Sequence, residues 1–146
     1  MVASRDLTDV TILNRKTGRR MGRAIRAEYR PGNKYITGIV FRTFGLFSAQ
    51  ALLPLACVRT LSARIILADP DERTTGRVTR EQPGSIYLSN GRYLGELFCL
   101  MLEEYTGLVR SLVIRTSLID DMRSGYVWLD EPGRLVATIN HVILLT

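Results

Sequence analysis

A chain of 146 residues, 46% hydrophobic and 23% charged, has the composition of a folded globular protein and excludes a disordered tail. Its net charge of +6 is unevenly shared: residues 1–73 carry 13 basic and 6 acidic side chains, residues 74–146 carry 7 and 8, so any attraction to an anionic partner belongs to the first half. No apolar run approaches the roughly 18 residues needed to span a bilayer, the first residues lack the apolar stretch of a signal peptide, and the expected compartment is the cytoplasm.

Residues 1–9 are short and polar. Thr11-Ile12-Leu13 opens the first apolar segment before the turn-forming Asn14-Arg15-Lys16-Thr17-Gly18, which predicts a strand entering a hairpin. Met21 to Tyr29 is a second strand, Arg30-Pro31-Gly32-Asn33 a turn, and Lys34 to Phe44 a third strand rich in β-branched and aromatic residues. Ala51 to Leu55 is a short strand interrupted by Pro54. A turn through Ala56-Cys57-Val58 and a fifth strand at Ile65-Ile66-Leu67 follow. Asp69 to Ser85 holds two prolines, two glycines and seven charged residues without apolar periodicity, and reads as a linker. Beyond it come Ile86-Tyr87-Leu88, a turn at Ser89-Asn90-Gly91, strands near Leu94–Leu102, Leu108–Thr116, Tyr126–Leu129 and Val142–Leu145, and a helical turn within Gly133–Ile139.

The second half repeats the first. Gly18-Arg19-Arg20-Met21-Gly22 recurs as Gly91-Arg92-Tyr93-Leu94-Gly95, and Ile39-Val40-Phe41-Arg42-Thr43 as Leu112-Val113-Ile114-Arg115-Thr116, both at an offset of 73 residues. Two matches sharing one offset argue for an internal duplication. Many short strands between Gly- and Asn-bearing turns then give an all-β fold class: two small β-barrels in tandem, residues 1–68 and 86–146, joined by the linker 69–85. In this frame Gly18, Gly22, Gly91 and Gly95 are turn and strand-entry glycines, not a helix-dimer motif, because the apolar 20-residue frame of that motif is missing.

The repeated pattern resembles the PRC-barrel family. What carries the resemblance is the glycine turn followed by a bulky residue and Gly, then two apolar strands, then the Leu53-Pro54 step and the closing Ala63-Arg64-Ile65-Ile66-Leu67; the second half has Trp128-Leu129-Asp130-Glu131-Pro132-Gly133 and His141-Val142-Ile143-Leu144 in the corresponding places. The resemblance implies a non-catalytic assembly and interaction module with no cofactor. Its layout of two barrels and little else is most similar to archaeal PRC-barrel cell-division proteins linked to the SepF anchor of the FtsZ ring. A protein partner of that adaptor type and self-association are the partners it implies. Ribosome maturation factors also contain a PRC barrel, which makes an RNA-binding or ribosome-assembly role the alternative.

Among residues that could carry chemistry, the densest group is Arg15, Lys16, Arg19, Arg20, Arg23, Arg26 and Arg30, seven cations within sixteen residues. Such a cluster can bind phosphates or an acidic protein face, or be a solvated hairpin. Arg15, Arg19, Arg20, Arg23 and Arg26 are the candidate partner-binding residues. Tyr29 is the one aromatic among them, which leaves little stacking surface for nucleic acid. His141, the sole histidine, has no nucleophile in its sequence context and defines neither triad nor metal site. Glu103-Glu104 and Asp120-Asp121 are adjacent pairs that diverge if extended. Cys57 and Cys99 sit in apolar runs and read as buried free thiols. No enzyme signature emerges. Leu97-Phe98-Cys99-Leu100-Met101-Leu102 is apolar on both faces of an extended strand, so a second body must cover one face. Strict alternation puts Phe98, Leu100 and Leu102 on one side and Leu97, Cys99 and Met101 on the other, one set being a barrel or subunit interface.

Overall fold

The computed structural model describes residues 1–71, 74, 84–118, 123–137 and 141–145, with residues 117–118 and 123–124 described for the backbone alone. The chain begins with β1 (Val2–Ala3) and a 3-10 turn at Ser4–Leu7. It continues through β2 (Thr11–Asn14), β3 (Arg20–Glu28), β4 (Gly38–Thr43), β5 (Gln50–Pro54), a 3-10 turn at Leu55–Cys57, β6 (Val58–Leu61) and β7 (Ile66–Ala68). The second run is β8 (Ser85–Leu88), β9 (Tyr93–Leu102), β10 (Val109–Leu118), β11 (Arg123–Leu129), a 3-10 turn at Pro132–Arg134, β12 (Leu135–Ala137) and β13 (Val142–Leu144). No helix among the described residues is long and apolar enough to cross a membrane.

Two sheets result, and their strand orders correspond: β5-β4-β3-β2-β7-β6 in the first, β11-β10-β9-β8-β13-β12 in the second. Each contains one parallel pair, β2 with β7 and β8 with β13, among antiparallel neighbours. Where the sequence predicts five strands per half, the first sheet has six and the second seven; β6 and β12 are the additions within the halves, and β1 is the seventh strand of the second sheet. The helical turn expected within Gly133–Ile139 is a 3-10 turn ending at Arg134, after which Leu135–Ala137 is strand. The third strand is shorter than Lys34–Phe44, because Lys34 to Ile36 bond to the second unit instead. Both ladders are open, in contrast to the closed barrels expected from the sequence. In each sheet the two edge strands are consecutive in the chain, meeting at a 3-10 corner without a hydrogen-bonded seam between them among the described residues. Pro54, which has no N–H to donate, ends β5 at the first of these corners.

The correspondence extends to irregularities. Ile12 pairs with Gly22 but Leu13 with Arg20, which leaves Met21 as a bulge; Ile86 pairs with Gly95 but Tyr87 with Tyr93, which leaves Leu94 as one. A second bulge falls at Ile25, between the pairs Ala24↔Phe41 and Arg26↔Val40, and at Phe98, between Ile114↔Leu97 and Val113↔Cys99. A bulge inserts one residue and inverts the facing of everything beyond it. The one at Phe98 therefore re-sorts the apolar strand. Leu97, Leu100 and Leu102 share the core face, opposite Ile114, Leu112 and Val109, whereas Phe98, Cys99 and Met101 lie on the other. Neither set given by strict alternation survives intact.

One hydrophobic cluster spans both units, with Ile12, Ile39, Leu53, Leu61 and Ile66 from the first and Ile86, Leu102, Leu112, Ile114 and Leu135 from the second, all at most 2% exposed. Each such side chain contributes roughly 1.5–3 kcal/mol on burial. Backbone bonds join the units as well: Val109 N–H donates to Lys34 O at 2.7 Å, Ile36 N–H to Gly107 O at 3.2 Å and Leu61 N–H to Glu104 O at 2.7 Å. The opening segment crosses the junction. β1 pairs with the end of β9, Leu100 N–H donates to Ser4 Oγ at 2.9 Å, Leu7 is fully buried, and Asp9 N–H donates to Ala24 O of β3 at 2.8 Å. Residues 1–9, polar by composition, thus supply part of the cover that the apolar strand requires.

Candidate interaction surfaces

Asn14 shapes the basic hairpin between β2 and β3. Its Oδ1 accepts from the Lys16 and Thr17 amides at 3.0 and 3.3 Å, and Gly18 adopts φ +70° to close the turn. Asn90 and Gly91 (φ +89°) form the corresponding turn in the second unit. The structure splits the candidate cations. Arg15 donates from Nε and Nη2 to both oxygens of Asp69 at 3.0 and 2.8 Å, and Arg59 adds a third bond at 2.8 Å. The Arg15 hydrogen bonds, with Arg59 beside them, hold the Asp69 carboxyl below the ordinary range. Arg15 is therefore a clamp between the β2–β3 turn and the end of β7. Arg26 is half-buried. Arg19, Arg20 and Arg23 are exposed and receive no ion pair from the described residues.

Arg42 joins them, since on the outer face of the sheet it stands directly opposite Arg23. Like charges directly opposed across strands are unfavourable. The corresponding position of the second unit holds Glu96 opposite Arg115, an opposite-charge pair. The first unit has two facing guanidiniums at that place instead. Just beyond Arg42, the turn between β4 and β5 carries Phe44, Leu46 and Phe47, exposed by 46%, 98% and 94%. Sequence reasoning passed over this tip, although apolar residues flanking a glycine between two strands were a legible signal.

A second apolar surface lies on the edge strand β11. Its Tyr126, Val127 and Trp128 are 56%, 44% and 56% exposed, and only β10 pairs with the strand among the described residues. Tyr126 meets the Phe98 ring edge-on at 5.0 Å, and the Arg5 guanidinium lies over that ring at 4.1 Å. Beneath them Cys99 is a free, buried thiol whose pKa is raised by desolvation. Cys57 is free and buried too.

At the end of the parallel β8/β13 pair, Tyr87, Leu88, Ser89, Gly91, His141 and Ile143 line a cleft of about 320 Å³. His141 is exposed there and packs edge-on against Tyr87 at 5.5 Å. Glu103 pairs with Arg110. Asp120 and Asp121 lie outside the described residues. Among the described residues no three His, Cys, Asp or Glu side chains converge as metal ligands. Compared with known proteins, the chain matches no family model, and no curated protein matches it.

Proposed function

We propose that the chain is a non-catalytic assembly module of the PRC-barrel type, two units descended from one by duplication, which binds copies of itself and a protein partner through the open edge of its second sheet. The observation that carries this reading is β11: an edge strand that among the described residues pairs with β10 alone and bears three consecutive exposed apolar side chains, Tyr126, Val127 and Trp128. Soluble proteins normally blunt such an edge with charge or proline, and strand addition uses it when it is left bare. The corresponding edge of the first sheet is blunted, because β5 ends in Pro54. The matching strand orders and the paired glycines and bulges support the duplication. The glycine motif and two-unit layout support the PRC-type reading, in which the partner is an adaptor of the cell-division type. Light scattering coupled to size exclusion tests the assembly. Wild-type mass is expected to rise with concentration, and Val127→Lys with Trp128→Ser to abolish that rise at unchanged thermal stability. A wild type that stays monomeric and captures no adaptor, or an unaltered mass in the variant, defeats the reading.

A further inference from the structure

The β4–β5 tip and the basic hairpin share one end of the first sheet. Thr43 pairs with Gly22, so Arg20 lies level with the tip, and Arg23 and Arg42 lie one residue, about 3 Å, behind its base. Leu46 and Phe47 of the tip are the most exposed and Phe44 is half-exposed, with Arg20 beside the tip and the Arg23 and Arg42 guanidiniums behind its base. Between residues 10 and 68 the chain has eleven Lys and Arg and one acid, Glu28. The geometry points to an anionic lipid bilayer as the ligand of this end: the apolar tip enters the boundary between headgroups and acyl chains, and Arg19, Arg20, Arg23 and Arg42 contact lipid phosphates and carboxylates.

Depth is the reason for preferring a bilayer. Interfacial segments bury their apolar side chains about 5–10 Å into the boundary between headgroups and acyl chains, a depth that a tip of two or three apolar residues can reach while Arg20 beside it and Arg23 and Arg42 behind its base meet the headgroups. A protein partner would need a concave pocket matched to this convex knob, whereas a bilayer requires only apolar side chains outermost and positive charge behind them. RNA would use the guanidiniums and could stack on a phenyl ring, but it gives Leu46, the most exposed apolar residue of the tip, nothing to bind. The facing pair Arg23 and Arg42 also finds a purpose, since phosphate between them converts repulsion into two charge-assisted contacts.

Co-sedimentation with vesicles tests the proposal on the intact chain. Vesicles of phosphatidylcholine with about 30% phosphatidylserine should bind it, and phosphatidylcholine alone should not. Leu46→Ser with Phe47→Ser should weaken binding about tenfold or more. Arg20→Gln and Arg42→Gln should each weaken it about fivefold, the equivalent of about 1 kcal/mol per charge near the surface. High salt should release the protein. Because the tip side chains are solvated, circular dichroism and thermal stability should not change in the tip variant. Absence of binding to anionic vesicles, or equal binding by the tip variant, overturns the proposal. So does tighter binding to a short single-stranded RNA that is indifferent to the tip substitutions, which would make the arginine surface a nucleic-acid site. The β11 reading is measured by solution mass without lipid, so either can fail alone.

Discussion

Replacing Gly95 with alanine tests whether close backbone approach, not flexibility, makes glycine necessary at the strand entry. A Cβ at Gly95 would stand 2.2 Å from the Arg115 carbonyl oxygen, 2.9 Å from its carbon and 3.0 Å from Thr116 Cα. That is about 1 Å inside an ordinary close C···O separation of about 3.3 Å. The obstacle is the backbone of β10, a central strand, so no side chain can rotate away. Overpacking of this kind costs about 1–3 kcal/mol or more. The reduced freedom of alanine in the unfolded chain offsets about 0.4–1 kcal/mol of it. An approach as close as 2.2 Å to backbone puts the cost at the upper end of that range, about 3 kcal/mol, and the net loss of about 2–2.6 kcal/mol lowers Tm by about 4–10 °C in a chain of this length. Gly91 supplies the contrast, because nothing lies within 4 Å of its Cβ position while φ is +89°. Asparagine tolerates that conformation, so Gly91→Asn should stay near wild type, whereas Gly95→Asn should be worse than Gly95→Ala. Gly22→Ala should repeat the loss in the first unit, its Cβ falling 2.2 Å from Arg42 O. Differential scanning calorimetry reads all four. A Gly95→Ala protein melting within about 1 °C of wild type, or Gly95→Asn melting above it, would refute the close-approach account.

Leu7→Ala removes a fully buried side chain between β3 and β9 and should cost about 2–5 kcal/mol in urea unfolding while leaving one transition, since a single core serves both units; two separated transitions would contradict the shared core. Burial pushes the Tyr29 phenol up to about 12. Its folded pKa lies above the unfolded value of about 10, so the contribution to stability is intact below pH 10 and falls away as pH rises toward 12; phenolate absorbance should show a late step that Tyr29→Phe abolishes. Cys57 and Cys99, 1% and 8% exposed, should resist a thiol reagent until urea unfolds the chain, and rapid labelling of the native protein would count against their burial.

The strands were legible where apolar and β-branched residues cluster, and the turns where Asn precedes Gly, because both signals are local. β6 and β12 escaped because three or four residues after a 3-10 corner show too little periodicity to stand out. The facing of Leu97 to Leu102 was misassigned for a different reason. Alternation assumes an unbroken ladder, and the extra residue at Phe98 is a property of how β9 meets β10 rather than of either strand alone. Arg15 looked like its neighbours because Asp69, its partner, lies 54 residues away. The arginine cluster was visible, but not the exposed Arg42, which only cross-strand register places beside Arg23. Leu46 and Phe47 were apparent in the sequence, yet their solvation depended on the turn between β4 and β5 projecting free of the rest.

The pairing of Val2 with Leu102 also sets synthesis and folding in opposition. A ribosome adding about 5–20 residues per second leaves β1 waiting roughly 5–20 s for its partner strand. Throughout that interval Leu7 can reach β3 but not β9, and the first unit emerges with part of its core face still open to water or to a chaperone. Contacts of this sequence separation also slow folding, because the loop must close before the contact forms. β1 is thus made long before it can pair, and completing the first unit depends on the second.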